Sequence, residues 1–170
     1  MITAIVYTSN TGHTKTYGGL LAQKTGLPAL TVKEAEQTLS AQAEVLFMGW
    51  LMAGTIKGYK EAARRFTVRA VCAVGMVYVE DQRADLIKSN AIPEGTPLFC
   101  LDGGFEMDKL HGLYRFMMKC MRAVVGKQLR AKTERTPQEE ETLALMENGK
   151  NCVSEAQLET VKEWFNEQRN

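Results

Sequence analysis

Histidine and cysteine are both scarce in this chain of 170 residues. The two histidines are His13 and His111, and no two of the four cysteines are spaced as CxxC. Protein zinc sites are built from clustered histidine and cysteine ligands, so the sequence argues against one. Cys72 and Cys100 lie in apolar runs, and we expect them to be small core residues with reduced thiols.

The chain also lacks a long apolar run, a strong net charge and internal repeats. No apolar stretch is long enough to span a bilayer, and Met1 leads directly into a predicted strand. We therefore expect no signal peptide and a cytoplasmic location. The formal net charge is +1, which predicts no general affinity for nucleic acid. With 45% apolar residues and no low-complexity linker, the length suits a single domain over residues 1–170.

The sequence does contain an alternation of strand-like and helix-like segments. Short apolar runs predict strands over residues 2–7, 29–32, 44–49, 68–79 and 97–101. Helical spacing predicts helices over 15–24, 33–42, 57–65, 81–90 and 107–125, and two capping-box patterns predict further helices after Thr136 and Ser154. Continuous apolar strands between helices indicate an α/β fold with a doubly wound parallel sheet. Ligands of such sheets bind beyond the carboxyl ends of the strands.

The loop between the first predicted strand and the first predicted helix has the features of an anion site. Its sequence, SNTGHT, comprises Ser9, Asn10, Thr11, Gly12, His13 and Thr14. A helix start offers unpaired N–H groups and a positive dipole end, and the side chains add hydroxyl and amide donors. No carboxylate occurs before residue 30, and the loop matches neither the Walker pattern nor GxGxxG. The loop predicts a site for a phosphate monoester, or alternatively a turn that only caps a helix.

SNTGHT resembles the phosphate loop of flavodoxins, written [ST]-x-T-G-x-T. Ser9, Thr11, Gly12 and Thr14 match its four fixed positions. The resemblance implies a three-layer fold with a five-stranded parallel sheet in the order 2-1-3-4-5, and non-covalent FMN with its phosphate on the loop. It also implies that the loops after Gly49 and Gly75 flank the flavin ring. The ring residues would then be Trp50, Met52, Ala53, Gly54, Gly75, Met76 and Tyr78.

Two features depart from the flavodoxin pattern. Short-chain flavodoxins are strongly acidic, which serves docking to electron-transfer partners, whereas this chain is nearly neutral. The flavin ring is usually stacked between aromatic residues, but Ala53 occupies the aligned stacking position. Trp50 lies three residues earlier, just past the predicted strand, where it either stacks on the ring or packs in the core. Tyr78 is the other aromatic residue expected beside the ring.

A helical C-terminal extension is expected from about residue 105, and its start resembles a flavodoxin-like subfamily. The segment DKLHGLYRFMMKCM is similar to the equivalent region of the oxygen-independent protoporphyrinogen oxidases. The matching residues are Tyr114, Arg115, Phe116, Met117 and Lys119. The resemblance implies FMN, electron transfer to a quinone and contact with a membrane.

Residues 109–135 carry eight lysines or arginines and one acid, Glu134. This basic segment indicates peripheral contact with an anionic membrane or guidance of a porphyrin's propionates. The alternative is a core helix with a solvated basic face. His13 contacts the phosphate, modulates the FMN potential, or is an exposed loop residue. Asp102-Gly103-Gly104 shapes the pocket or is simply a turn, and nothing in the sequence pairs with His111.

Three functions remain open from the sequence. The first is an FMN-binding flavodoxin-like oxidoreductase or electron-transfer protein, with a redox partner protein or a quinone. The second is a quinone-linked enzyme similar to protoporphyrinogen oxidase. The third is a flavin-free binding module of the same fold. The flavin would carry the chemistry in the first two, so no side chain is assigned as catalytic. A phosphate-accepting receiver domain is disfavoured, because Tyr7 and Thr8 stand where it needs acids.

Overall fold

A computed structural model describes residues 1–110 and 112–169 of the chain. Five parallel strands form its main sheet: β1 (Ala4–Tyr7), β2 (Ala29–Thr31), β3 (Glu44–Met52), β4 (Thr67–Gly75) and β5 (Leu98–Asp102). Their spatial order is β2-β1-β3-β4-β5. The α/β class and the flavodoxin-like order 2-1-3-4-5 are thus confirmed. A two-residue strand, Thr55–Ile56, folds back antiparallel on the end of β3.

Helices cover both faces of the sheet and its carboxyl edge. They are α1 (His13–Thr25), α2 (Val32–Thr38), α3 (Tyr59–Arg65), α4 (Arg83–Asn90), α5 (Gly112–Ala131), α6 (Pro137–Asn148) and α7 (Glu159–Glu167). Residues of α2, α3 and α4 share one buried apolar cluster, and residues of α1 and α7 share another. Successive residues of β1 alternate between the two clusters, because side chains of a strand point to opposite faces. The sheet is therefore the middle of three layers.

The segments after β5 build a separate structure at the carboxyl edge of the sheet. Gly104–Phe105 pairs antiparallel with Lys150–Asn151 in a short ribbon. A third apolar cluster joins Phe105 of the ribbon to Leu110 and to Leu145 of α6. Tyr114 and Met118 of α5 pack against that cluster, which places α5 over the edge of the sheet.

One of the three predicted helix starts in the C-terminal part of the chain is confirmed, and two are wrong. The capping box of α6 is confirmed, with Thr136 accepting from the Glu139 N–H and Glu139 accepting from the Thr136 N–H. The second box is wrong: Ser154 makes no capping hydrogen bond, because residues Glu155–Leu158 form a 3₁₀ turn and α7 begins only at Glu159. The predicted start of α5 at 107 is also wrong. Gly112 has a φ of 55°, through which an α-helix cannot extend backwards.

Two strand ends differ from the predictions, and both lie at the ligand-binding edge. β4 ends at Gly75 rather than at 79, because the chain turns away and the Val79 N–H donates to the Asp102 carboxylate at 3.1 Å. β3 continues to Met52 because Thr55–Ile56 pairs with its end. Trp50 therefore lies within the strand rather than past it. Ala53 and Gly54 make the turn, with φ of 47° and 74°.

Among the described residues, no helix combines the length and the apolar character needed to cross a bilayer.

Candidate functional site

A cavity of about 320 Å³ lies at the carboxyl ends of the strands. It is lined by the loops that follow β1, β3, β4 and β5 and by α5. β1 and β3 are neighbours, and the chain leaves them toward opposite edges of the sheet. This is the point of an open α/β sheet where ligands bind. The volume falls in the range of about 300–1,000 Å³ typical of small-molecule sites.

Ser9 and Gly12 determine the conformation of the loop of residues 9–14, which lies at one end of the cavity. The Ser9 hydroxyl accepts hydrogen bonds from the Gly12 N–H at 3.2 Å and the Lys15 N–H at 3.3 Å. Gly12 precedes α1 with a φ of 99°, which a residue with a Cβ rarely adopts. Five other N–H groups find no acceptor among the described residues, those of Ser9, Asn10, Thr11, His13 and Thr14. The loop thus presents unpaired donors beside the start of a 13-residue helix.

Thr14 supplies a buried hydroxyl with no partner. The residue is 1% exposed and lines the cavity, and its Oγ1 makes no hydrogen bond within the described chain. An unsatisfied buried hydroxyl costs about 1–3 kcal/mol, so a native structure that keeps one calls for an explanation. A ligand oxygen in the cavity would accept from this hydroxyl.

His13 is 7% exposed, so its interpretation as an exposed loop histidine is wrong. Its Nδ1 lies 3.0 Å from the Thr11 hydroxyl, and its Nε2 lies 2.6 Å from a Glu106 carboxylate oxygen. Glu106 also accepts from the Lys109 ammonium at 2.8 Å. Lys109, and to a smaller extent His13, lower the pKa of Glu106, so this carboxylate is ionised at neutral pH. A continuous hydrogen-bonded chain therefore runs from Thr11 to Lys109.

The rest of the cavity wall is apolar and rich in sulfur. Trp50 packs edge-on against Tyr114 of α5, with ring centroids 5.3 Å apart and an interplanar angle of 89°. Five methionines complete the wall: Met52, Met76, Met117, Met118 and Met121. Methionine side chains are flexible and polarisable, and they pack well against aromatic rings. Such a wall suits a flat, apolar group.

The structure brings together most of the residues that the sequence assigns to a cofactor. Nine line this cavity: Asn10, Thr11, His13, Thr14, Trp50, Met52, Ala53, Gly75 and Met76. Ser9 and Gly12 shape the loop without lining it. Gly54 and Tyr78 instead line an adjoining cavity of about 570 Å³, where the Tyr78 hydroxyl donates to Glu141 of α6. Tyr78 therefore faces α6 rather than the loop of residues 9–14.

Asp102-Gly103-Gly104 both forms a turn and shapes the cavity. The N–H groups of Gly103 and Gly104 donate to Gly75 and Met76, which ties the end of β5 to the loop after β4. Gly104 itself lines the cavity. His111 lies outside the described residues.

Several lining residues were not predicted as site residues, including Glu106, Leu110, Met118 and Met121. The partnership of Glu106 with His13 spans 93 residues of sequence, and no local pattern marks it. The methionines of α5 recur at helical spacing, which is equally typical of a core helix. No lysine or arginine is among the lining residues in the described part of the chain.

Comparisons with protein-family models, with curated proteins and with solved structures gave no significant match.

Proposed function

We propose that this protein binds FMN non-covalently and acts as a flavodoxin-like oxidoreductase or electron-transfer protein. The observation that carries the proposal is the buried, unpartnered hydroxyl of Thr14 at the cavity end of α1. The phosphate would lie on residues 9–14 and the flavin ring in the methionine-lined part of the cavity.

The donor set favours a phosphate monoester over other anions. Unpaired N–H groups, the Thr14 hydroxyl and the Asn10 amide surround one end of the cavity, and the helix dipole adds a positive field. Phosphate oxygens can accept several such hydrogen bonds at once. A planar carboxylate has fewer oxygens to match donors that arrive from a loop and a helix start. The Glu106 carboxylate is compensated by Lys109, which reduces its repulsion of an anion.

The apolar part of the cavity favours an aromatic ring system attached to that phosphate. Trp50 and Tyr114 offer aromatic surface, and α5 covers the cavity with Met117, Met118 and Met121. When bound, FMN supplies hydride and single-electron chemistry. The side chains of this protein would bind the ring, orient it and exclude water from it.

An FMN titration of Thr14→Val tests the proposal, with flavin fluorescence and absorbance as readouts. Hydrogen bonds to charged groups contribute about 1.5–3 kcal/mol, so we expect Kd to rise by about 10- to 150-fold. Thr16→Val is the matched control, because the Thr16 hydroxyl only donates to the Gly12 carbonyl and should leave Kd within about twofold. The ligand-free Thr14→Val protein should be at least as stable as wild type, since it loses an unsatisfied hydroxyl.

Equal FMN affinity in wild type and Thr14→Val would contradict the placement of the phosphate. Failure of wild type to bind FMN at all would favour the flavin-free binding module instead.

A second candidate is a quinone-linked enzyme similar to protoporphyrinogen oxidase, which acts from the cytoplasmic side of a membrane. The exposed face of α5 favours it. Leu113 and Phe116 are 69% and 64% exposed, and Met117 and Val124 are exposed beside them. α5 contains five lysines or arginines and no acid. α5 is not a core helix, because only Gly126 and Leu129 are buried among its described residues. The basic segment is nevertheless solvated and partly balanced by acids, since Arg130 pairs with Glu147 and Lys132 pairs with Glu139. The solvent-exposed surface of α5 therefore combines apolar and basic side chains, which is typical of helices that lie on a membrane.

Sedimentation with lipid vesicles tests this candidate. We expect the protein to bind vesicles that contain anionic lipid, to bind zwitterionic vesicles more weakly, and to lose binding in Leu113→Ser/Phe116→Ser. Ile87→Ser on α4 is the control, because it removes exposed apolar surface elsewhere on the molecule. Absence of vesicle binding, together with no oxidation of protoporphyrinogen in the presence of menaquinone, would exclude the candidate.

A further inference from the structure

The hydrogen-bonded chain Thr11–His13–Glu106 limits where its protons can lie. Glu106 is a carboxylate, which can only accept, so the Nε2 of His13 at 2.6 Å must carry a proton. Thr11 has a single hydroxyl proton, and its oxygen lies 3.0 Å from the other ring nitrogen, Nδ1. The direction of that hydrogen bond depends on whether Nδ1 carries a proton.

With a neutral imidazole, Nδ1 is an acceptor and the Thr11 hydroxyl must donate to it. The lone pairs of Thr11 then face the cavity, where they repel phosphate oxygens. With an imidazolium, Nδ1–H donates to the Thr11 oxygen instead. The Thr11 hydroxyl keeps its proton but no longer uses it in a hydrogen bond to His13. The hydroxyl can therefore donate into the cavity. One proton on His13 therefore converts Thr11 from a group that repels an anion into a group that binds it.

The charges around the cavity also favour protonation of His13 when an anion binds. No lysine or arginine lines the cavity in the described chain, and Glu106 is negative. An imidazolium at position 13 would stand between the incoming anion and Glu106, with Lys109 beyond it. The other titratable lining residue described is Tyr114, which packs against Trp50. On the side of β5, Gly103 packs against the Cβ of His13 and brings no charge.

We propose that binding of a phosphate monoester to residues 9–14 is coupled to uptake of one proton by His13. The proton comes from solvent, the phosphate stays dianionic, and no covalent bond changes. His13 is a positioning residue, which acts through the Thr11 hydroxyl, and Glu106 fixes its ring. This inference rests on the proposed function, because it takes the loop as the phosphate site.

NMR of protein with isotope-labelled histidine tests the proposal directly, with FMN as the phosphate-bearing probe and riboflavin as the control without phosphate. The chain has only two histidines, so His111→Gln assigns the remaining signal to His13. The measurement is made over a series of pH values, with and without each flavin. We expect FMN to extend the doubly protonated form of the His13 ring to higher pH and riboflavin to leave it unchanged. The phosphorus resonance of bound FMN should remain that of a dianion.

A second readout is the pH dependence of FMN affinity. Kd of wild type should rise with pH, by up to about tenfold per pH unit, the limit for one coupled proton. His13→Gln should remove this slope and retain binding, because its amide can donate to Thr11 without titrating. His13→Ala should bind more weakly at every pH.

Three results would overturn the proposal. Tight FMN binding with a singly protonated His13 would refute it and leave the proposed function intact. Proton uptake reported by the phosphorus resonance would place the proton on the ligand instead. Absence of FMN binding would refute both the coupling and the proposed function.

Discussion

Tyr17 shows how one buried side chain holds the frame of the cavity. It is fully buried in α1, and its hydroxyl donates to the Asp102 carbonyl at 2.8 Å. The same oxygen accepts from the Ser154 N–H at 3.4 Å. Tyr17 thus connects α1 to the end of β5 and to the segment before α7. Burial is the main cause that raises its pKa to about 12.

The raised pKa of Tyr17 predicts a loss of stability in alkali. The unfolded tyrosine titrates near 10, so the protonated form is favoured in the folded state. Its contribution to folding is complete below pH 10 and declines between pH 10 and 12. Tyr17→Phe cannot ionise at this position, so its free energy of unfolding should fall less steeply over that range. Urea titrations of both proteins at several pH values measure the difference, and parallel curves would contradict the assignment.

Residues 9–14 could be recognised from the sequence as a candidate anion site, whereas the partnership of His13 with Glu106 could not. Ser9, Thr11, Gly12 and Thr14 are found from six consecutive letters, because a helix start concentrates its donors locally. His13 is visible in the same letters, but its burial depends on Glu106 and on the ribbon 93 residues later. No local pattern carries that pairing.

At the scale of elements, the short ribbon after β5 determines where Glu106 lies. Gly104 has a φ of 98°, and a Cβ built there would lie 2.1 Å from the Lys150 carbonyl oxygen. Only glycine allows the two ribbon strands to approach so closely. Glu106 follows the ribbon directly, so the position of its carboxylate depends on this contact.

Gly104→Ala should therefore disrupt both stability and the site. Gly95→Ala is the matched control, because Gly95 also has a positive φ, of 83°, but a Cβ there would meet nothing within 4 Å. The control should cost about 1–2 kcal/mol from the left-handed backbone alone. Gly104→Ala should cost more, and it should also weaken FMN binding. Equal free energies of unfolding for the two variants would show that the close approach to Lys150 is unimportant.

The elements themselves were predicted with uneven success, for physical reasons. The capping box of α6 was predictable because its hydrogen bonds connect residues three apart. The ends of β3 and β4 were not, because they depend on a hairpin and on a carboxylate from β5. The Ser154 pattern failed because a 3₁₀ turn precedes α7.

At the scale of the whole molecule, the alternation of apolar strands and helices was sufficient for the α/β class. The strand order 2-1-3-4-5 came from the resemblance of the loop, since spacing alone does not select it. Neither the alternation of strands and helices nor the resemblance of the loop could predict the position of α5 over the cavity. Its apolar residues occur at a spacing that fits a core helix, a cavity cover and a membrane-facing helix equally well, and only tertiary packing distinguishes them.

The proposed cofactor site consists of residues 9–14 and the methionine-lined cavity, which would together bind one flavin phosphate. Parallel calorimetric titrations of the purified protein with FMN and with riboflavin test it most directly. We expect one FMN per chain and riboflavin binding weaker by at least about a hundredfold, the equivalent of two charge-assisted hydrogen bonds. Equal affinities for the two flavins, or binding of neither, would contradict it.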